Sequence, residues 1–490
     1  MLSLLVSLYT VRIVLEILGV EDYGIYNAVV GVVSLFSFIQ GALLATSNRF
    51  LAFELGRNDI ENFQSVFTHM FILYVVFGLV YLFFVESIGM WFVLNKLVIP
   101  PEKITSATIV YQCIIISYFI ELVSFNFQSA LFAYENMTAY AIIAIINTLF
   151  KLLAVLLLQY IALPNKLVLY AILLDIVSII TTAIYILYSK VKYGLSVCIR
   201  KYKPGTVKIL LSYFLWNMAG TGALTVKANG TTIILNLFFG PIVNSARGVA
   251  TQIGNAVTSL AQNFRNAFRP QITKIYASNE KEKLYETIIM TSKLSFFLVF
   301  VFSFPAMLEM SFILSVWLKD VPPNTIDFSI MTLLSLLVEV IEYPVMSAVM
   351  ATGAIKGIEL TICLTGLFSL LLVYITLGIT NNPITAYMVM FFIDIILLFI
   401  WLFFAKRLIS LSIKTFTKKV FIPIMKVVLV SSPIPLILYS IIKNMSYQFF
   451  VTVSISVLLI CLCVLFFGLS KNERETVFVL AKAKIHLKGN

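Results

Sequence analysis

Charged residues are scarce in this sequence, and their scarcity excludes a soluble protein. Of 490 residues, 12% are Asp, Glu, Lys or Arg and 60% are hydrophobic, so that the mean hydropathy reaches +1.00. A soluble chain of this length needs far more polar side chains to cover its surface. The composition instead predicts a chain that lies largely within a lipid bilayer.

Histidine, cysteine and long polar segments are also few. The chain has only His69 and His486, which excludes a histidine-rich metal or catalytic cluster, and four of its five cysteines lie in apolar segments, which argues against a disulfide framework. It has no glycine-rich loop with Lys-Ser or Lys-Thr to bind nucleotide phosphates, and no loop long enough for a separate catalytic domain. We therefore expect no enzyme activity, no catalytic residues, no metal and no cofactor.

Apolar segments of about 18 residues or more recur along the whole chain, each long enough to cross a hydrocarbon core of roughly 30 Å. They are too long for β-barrel strands, which alternate in polarity over about ten residues. The sequence therefore predicts an all-α polytopic membrane protein with about 14 transmembrane helices. The candidate spans are 1–18, 24–45, 66–94, 107–130, 140–161, 167–188, 209–235, 241–263, 291–316, 328–352, 358–379, 384–404, 422–441 and 449–469.

The basic residues indicate how these spans are oriented. With a cytoplasmic N-terminus, 25 of the 35 Lys and Arg residues fall in cytoplasmic loops and the C-terminal tail, and 5 fall in external loops. This bias follows the positive-inside rule, so the net charge of +12 reflects topology rather than nucleic-acid binding. We expect both termini to be cytoplasmic and no nucleic-acid partner.

The N-terminus lacks the charged lead-in of a secretory signal. Its first basic residue is Arg12, which follows the first apolar segment rather than preceding it. A cleavable signal has the opposite order, and we expect the true N-terminus to lie upstream of Met1.

Three pairs of similar residues recur at nearly one spacing. Their separations are 218, 219 and 220 residues, and the pairs are Ala133 and Ala351, Asp175 and Asp394, and Arg49 and Arg269. This spacing predicts two six-helix lobes in parallel repeat, as in transporters that work by alternating access. The predicted parts are an N-terminal lobe (1–188), a basic cytoplasmic linker (189–208), a C-terminal lobe (209–405), two additional transmembrane helices (406–469) and a basic cytoplasmic tail (470–490).

Segments 46–65 and 264–290 occupy equivalent places in the two predicted lobes. Both combine apolar residues at helical spacing with charged residues. We expect them to form cytoplasmic helices that lie on the membrane surface, with ordinary solvated loops as the alternative.

Cationic residues in or beside the spans are candidates for a binding site, because a charge within a bilayer is costly and faces a cavity or a partner. Arg247 and Arg265 stand at either end of a polar stripe whose members, including Asn255, lie three or four residues apart on one helix face. Lys151 lies near the middle of its span with no acid one turn away. Helix packing is the alternative for the neutral members of the stripe.

These residues together predict a cationic cavity, which suits an anionic passenger and particularly one with phosphates. An ion pair with Glu16 is the alternative for Arg12. The candidate substrate-binding residues are Arg12, Arg49, Lys151, Lys227, Arg247, Asn255, Arg265 and Arg269.

Acidic residues within the spans are candidates for ion coupling. Asp175 and Asp394 lie deep in equivalent spans of the two lobes, and Glu339 and Glu342 share one helix face. Burial favours the protonated form of a carboxyl group, as proton coupling requires. A structural ion pair with one of the cations is the alternative for each residue.

Two stretches are fairly specific: Leu-Gly-x-Glu-Asp-Tyr-Gly-Ile-Tyr at 18–26 and Phe-Phe-Gly-Pro at 238–241. With them, and over nearly its whole length, the chain resembles the O-antigen lipid-linked oligosaccharide flippases, in the polysaccharide-biosynthesis branch of the multidrug/oligosaccharidyl-lipid/polysaccharide exporter superfamily. The resemblance implies two six-helix lobes, a bacterial inner membrane, a cationic cavity and coupling to an ion gradient. Arg12 and Arg49 match arginines of that family, whereas the short start departs from it.

We therefore expect a flippase that moves a polyprenyl-pyrophosphate-linked oligosaccharide across the inner membrane. The resemblance implies undecaprenyl-pyrophosphate-linked glycan, such as an O-antigen of lipopolysaccharide or another surface polysaccharide, with the lipid bilayer, a polysaccharide polymerase and glycosyltransferases as partners. One alternative is a multidrug exporter of the same superfamily, against which a basic cavity counts. Another is a membrane glycosyltransferase or polymerase, against which the short external loops count.

Overall fold

The computed structural model describes residues 2–57, 59–161, 165–195, 204–278, 280–352, 356–442, 447–470 and 473–474. Within them all regular structure is helical, which confirms the predicted all-α fold. The α-helices are α1 Leu2–Ser34, α2 Ser37–Gly56, α3 Ile60–Phe84, α4 Met90–Asn95, α5 Ile104–Ala133, α6 Met137–Tyr160, α7 Lys166–Tyr193, α8 Pro204–Ala277, α9 Lys281–Leu308, α10 Met310–Trp317, α11 Thr325–Ala351, α12 Lys356–Thr380, α13 Ile384–Ile409, α14 Ile413–Phe416, α15 Ile422–Ser431, α16 Pro433–Ile441 and α17 Gln448–Cys463.

These helices are long and apolar because a backbone inside a bilayer must satisfy its own hydrogen bonds. Among the described residues, 11 helical segments could cross a membrane, or up to 12 with the bent pair Val6–Ser34 and Ser37–Gly56. Two of these segments contain an internal break. The predicted number of about 14 spans stays a prediction, since the described residues give 11 or 12 candidate spans.

The two internal breaks lie at glycines with the same unusual backbone conformation. Gly19 in α1 has φ 78° and ψ 171°, and Gly240 in α8 has φ 74° and ψ −169°. A positive φ of this kind is open to glycine and strained for other residues. The two glycines are 221 residues apart in the sequence, close to the spacing of the predicted repeat.

The chain reverses direction at Gly240. On the far side of the break, Arg247 Nε donates a hydrogen bond to Thr232 Oγ1 at 2.7 Å. Fifteen residues of a straight helix would separate these positions by roughly 22 Å. Residues 204–239 and 241–277 therefore form a tight helical hairpin rather than one rod.

The two family-like stretches contact each other at these breaks. A Cβ atom added to Gly24 would lie 1.8 Å from the carbonyl oxygen of Pro241, so the two backbones approach as closely as glycine allows. Asn236, just before the second stretch, accepts a hydrogen bond from the Val98 backbone N–H at 2.8 Å. Asp22, in the first stretch, binds Lys103 Nζ at 3.0 Å. The sequence motifs thus build one packed end of the helix bundle.

The helices form two compact units. One comprises Met1–Val249, Trp317–Asn324 and Glu359–Ala386, and the other comprises Ala250–Val316, Thr325–Ile358 and Tyr387–Asn490. Large apolar side chains are exposed along many helices of both units, as expected for surfaces in contact with lipid. The division into repeated lobes at 1–188 and 209–405 stays a prediction.

In the second unit, two contacts join α9 and the residue after it to Gln448, at the start of α17, and to Glu473, which follows α17 in the chain. The buried carboxylate of Glu309, just after α9, accepts hydrogen bonds from Gln448 Nε2 at 3.2 and 3.3 Å. Lys293, with 5% of its side chain exposed, binds Glu473 at 2.7 Å. A buried cation that lost its partner would be strongly destabilising. Lys293 lies within the predicted span 291–316, and the structure buries it in α9.

The predicted surface helices at 46–65 and 264–290 are wrong. Residues 46–56 continue α2, residues 264–277 continue α8, and short turns lead directly into α3 and α9. Their mixed composition reflects helix ends that emerge from the bilayer rather than separate elements. Parts of the predicted linker and tail, 196–203, 471–472 and 475–490, lie outside the described residues.

Gly24→Ala should destabilise the protein, because its methyl group would collide with the rigid Pro241 backbone. Overpacking of this kind typically costs about 1–3 kcal/mol. We expect a lower midpoint of thermal unfolding in detergent. Gly41→Ala is the matched control, since a Cβ atom at that helical position meets nothing within 4 Å. Equal midpoints for the two variants would contradict the close contact.

The Lys293–Glu473 contact should stabilise the protein in a pH-dependent way. Burial alone raises the pKa of Glu473, but hydrogen bonds from Lys293 and from Ser470 outweigh it and hold the pKa below its usual range. Stability from this contact is therefore present above the unfolded-state pKa, about 4.3, and is lost as the pH falls through the lower folded-state value. Glu473→Gln should unfold at a lower temperature than wild type at pH 7, and the difference should vanish in acid. A difference that stays constant with pH would exclude this ionic contribution.

Candidate functional site

The polar stripe of the sequence analysis lies on one continuous helical segment, 241–277 of α8. Its side chains differ in accessibility. Asn244 and Arg265 are buried, Arg247 is half-buried, and Thr251 and Asn255 are exposed. The middle of the stripe therefore presents hydrogen-bonding groups at an accessible face, while its ends are packed.

Arg265 is held by three neighbours in the second unit. Its Nη1 binds Glu339 Oε1 at 3.1 Å, its Nη2 donates to Gln262 Oε1 at 2.6 Å, and its guanidinium lies 4.7 Å from the centre of the Tyr343 ring. The arginine side chain is 5% exposed, whereas that of Glu339 is 54% exposed. A predicted binding cation and a predicted coupling acid thus form one ion pair at the edge of the protein interior.

A small and mostly apolar cavity borders Arg265. Its volume is about 10 Å³, and its lining residues are Arg265, Phe268, Ile272, Thr291, Ser295, Tyr343, Pro344 and Ser347. This is room for about one water molecule. Arg265 Nε is buried with no hydrogen-bond partner among the described residues, so a single ordered water in this cavity would satisfy it. The site is too small for a passenger.

Lys151 projects from the protein-facing side of α6. At about 100° per residue, Val155 and Leu158, which are fully buried, lie within about 40° of it around the helix axis. Most exposed apolar side chains of α6 lie away from this side, namely Ile142, Ile145, Leu149, Leu153, Leu157 and Tyr160, whereas Met137 at the start of the helix lies on the side of Lys151. Lys151 itself is exposed. It therefore faces an accessible space on the protein side of the helix, away from the apolar stripe that faces lipid.

The other predicted cations of the first unit have varied surroundings. The Arg49 guanidinium lies 4.3 Å from the centre of the Tyr213 ring, and Lys227 is half-buried on α8. Arg12 is exposed, and Glu16, its predicted partner, binds Lys319 at 2.9 Å. That hydrogen bond raises the pKa of Lys319. Arg269, in the second unit, lies on α8, but its side chain is outside the described part of the structure.

Asp175 lies in an acidic cluster that the sequence analysis did not identify. Ser117 on α5 donates a hydrogen bond to Asp175 on α7, and Ser178 donates to Glu121 at 3.2 Å. The two carboxylates therefore lie on facing helices about one turn apart. Within the described residues, neither forms an ion pair with a Lys or Arg. The spacings Ser117–Glu121 and Asp175–Ser178, each on one helix face, were the available signal.

The remaining acidic candidates lie in the second unit. Asp394 is half-buried on α13 and Glu342 is half-buried on α11, while Glu339 is engaged by Arg265 as described above. No group of three or more His, Cys, Asp or Glu residues within the described ranges could hold a metal ion. The acidic residues are thus distributed over separate places rather than gathered in one centre.

The helical arrangement is similar to that of several solved membrane-protein structures. A lipid II flippase, MurJ, in an inward closed conformation superimposes with a TM-score of 0.68 at 15% identity and covers 95% of this chain and 97% of its own. An inward-facing multidrug resistance transporter of the MATE family gives a TM-score of 0.65 at 13% identity and covers 83% of this chain and 95% of its own.

A further MATE multidrug transporter, DinF-BH, gives a TM-score of 0.60 at 14% identity, with 83% of this chain and 92% of its own covered. No family model and no curated protein matches the sequence at a significant level. At these identities the likeness establishes the fold.

Proposed function

We propose that this protein is a flippase that moves a polyprenyl-pyrophosphate-linked oligosaccharide across the bacterial inner membrane. The observation that carries the proposal is Lys151, a mid-span cation that is accessible on the protein side of α6. Among the described residues no acid forms an ion pair with it, so this lysine supplies positive charge to a passenger rather than to the helix bundle. A pyrophosphate group is the matching anion.

The passenger's chemistry fits the distribution of polar groups. The accessible part of the α8 stripe, with Thr251 and Asn255, offers neutral hydrogen bonds of the kind that sugars need. Arg247 on the same arm of α8, and Lys227 on the arm before the break at Gly240, add positive charge. The polyprenyl chain stays in the surrounding lipid, so that only the head of the molecule travels through the protein. We infer that the passenger is an O-antigen or another surface-polysaccharide repeat unit. Glycosyltransferases and a polymerase would act on this unit before and after its transport.

The likeness to the lipid II flippase supports this proposal over a multidrug exporter. The flippase covers 95% of this chain, whereas the two multidrug transporters cover 83% each. A multidrug exporter remains the second candidate because both classes share the fold. Its passengers are commonly cationic, and cations such as Lys151 and Arg247 would repel them. The charge bias of the loops supports cytoplasmic termini.

Lys151→Glu should reduce surface glycan export at least about tenfold, since the loss of a desolvated charge-assisted contact costs roughly 1.5–3 kcal/mol. Lys151→Arg should retain most activity. Export would be measured as surface glycan in cells that lack the native gene, with membrane accumulation of each variant checked in parallel. Lys190→Glu, at an exposed helix end, is the matched control for charge reversal.

Normal export from Lys151→Glu, Lys227→Glu and Arg247→Glu would contradict the cationic path. Loss of export in the Lys190→Glu control as well would point instead to a general effect of negative charge on insertion. Export of a cationic dye that improves when Lys151 is neutralised would favour the multidrug alternative.

We further propose that an ion gradient drives transport and that Asp175 or Asp394 carries the ion. The carboxyl of Asp175 accepts a hydrogen bond from Ser117 and has Glu121 one turn away, so a single proton or sodium ion would relieve the repulsion between the two acids. Glu342 is a further candidate. Glu339 is the weakest, because Arg265 already compensates its charge.

Asp175→Asn should abolish the response of transport to an imposed pH or sodium gradient in reconstituted vesicles, while substrate binding is retained. An amide keeps the shape of the carboxyl group but cannot titrate. Asp394→Asn tests the second candidate in the same assay. Wild-type gradient dependence in both variants would exclude both residues as carriers and leave Glu342 and Glu339.

A further inference from the structure

A long segment of the second unit contains positive charge and no negative charge. No Asp or Glu occurs between Asp394 and Glu473, whereas Lys and Arg occur eight times in that interval. Five of the eight fall within 406–419, where α13 ends and the next membrane span begins. We call these five residues the basic platform: Lys406, Arg407, Lys414, Lys418 and Lys419.

All five side chains of the basic platform are exposed. None forms an ion pair with a described acidic residue, although other cations of the same unit do: Lys283 binds Glu280 at 3.2 Å, and Lys293 binds Glu473 at 2.7 Å. Unpaired exposed charges close together repel one another, so their retention in one place favours an anionic partner.

The basic platform is rigidly seated on the helix bundle. Phe416 and Val420 are fully buried beneath it, and Leu411 is 2% exposed. Tyr285 on α9 donates a hydrogen bond to the carbonyl oxygen of Ile409 at 2.6 Å. Buried apolar residues alternate with the exposed cations along this segment. The buried residues hold the segment against the helices, so the cations point away from the protein interior near the end of the membrane span.

A cleft of about 410 Å³ adjoins the platform. Its lining includes Tyr276, Lys281 and Leu284 from the α8–α9 region, together with Leu408, Ile409 and Ser410 at the end of α13. Glu280 also lines it, and hydrogen bonds from Lys283 and Ser278 lower the pKa of that carboxyl group. The cleft therefore combines an apolar floor with a polar rim, beside the last turn of α13 that carries Lys406 and Arg407.

We propose that the basic platform and this cleft bind the headgroups of anionic phospholipids. The position favours lipid over other anions, because the ends of two membrane spans place the five cations at the level of headgroup phosphates. Clusters of four to eight Lys or Arg beside a membrane helix are typical of sites for acidic lipids. The apolar floor of the cleft accepts the first carbons of an acyl chain, and the cations bind the phosphodiester.

The test uses full-length protein in neutral detergent and a short-chain phosphatidylglycerol as the probe. The midpoint of thermal unfolding is measured at increasing lipid concentrations, and the concentration that gives half of the maximal increase is the half-saturating concentration. The platform variant is Lys414→Gln/Lys418→Gln/Lys419→Gln, and the control is Lys190→Gln/Lys192→Gln/Lys208→Gln, which removes three exposed cations from the first unit. We expect the half-saturating lipid concentration of the platform variant to be at least about tenfold higher than that of wild type, and that of the control to equal the wild-type value.

Additional controls show whether a lipid or a free phosphate is bound, and whether a variant has lost binding or has lost its fold. Glycerol phosphate and phosphatidylcholine of equal chain length should not stabilise the protein, and a Lys-to-Arg triple variant of the platform should bind as wild type does. Equal weakening in the platform and control variants, or wild-type affinity in the platform variant, would overturn the proposal. So would equal stabilisation by glycerol phosphate. If the triple variant fails to accumulate, Lys414→Gln, Lys418→Gln and Lys419→Gln are measured singly, each with an expected severalfold loss, and three wild-type affinities would overturn the proposal.

Discussion

The hydrocarbon core of a bilayer offers no hydrogen bonds to a peptide backbone, and the rest of this structure depends on that constraint. It makes every described span helical and confines sharp changes of direction to places where the backbone can bend at low cost. Gly19 and Gly240 provide two such places, and they share one positive-φ conformation. The close approach of Gly24 to Pro241 then joins the two bends, so the same short motifs that break the helices also pack them together.

The same constraint governs the charges. A cation in or near the bilayer is stabilised by an ion pair, by an aromatic ring or by access to water. Lys293 and Arg265 use ion pairs, Arg49 lies over Tyr213, and Lys151 faces an accessible space. Of these, the last arrangement leaves a charge that no described acid compensates. The structure therefore separates cations that hold the helices together from a cation that is accessible on the protein side of its helix.

The amount that could be predicted from the sequence differs between fold and site. Hydropathy was sufficient for the all-helical membrane fold, because apolar runs of this length cross a membrane as helices. It could not place helix ends: mixed polarity at 46–65 and 264–290 indicated surface helices, whereas the transmembrane helices simply continue. The pattern also could not show which acid meets which cation. The pair Arg265–Glu339 and the cluster of Asp175 with Glu121 depend on packing between helices far apart in the chain.

The contact between Lys293 and Glu473 joins residues 180 positions apart, and the second of them lies near the C-terminus. During synthesis at about 5–20 residues per second, roughly 10–40 s pass between the appearance of the lysine and that of its partner. For that interval α9 carries a cation with no carboxylate to neutralise it, so the helix cannot settle in its final buried position. The final packing of α9 in the second unit is thereby tied to the synthesis of Glu473. A chain that stops before this residue would keep a buried cation without its carboxylate, and its α9 helix would be unstable.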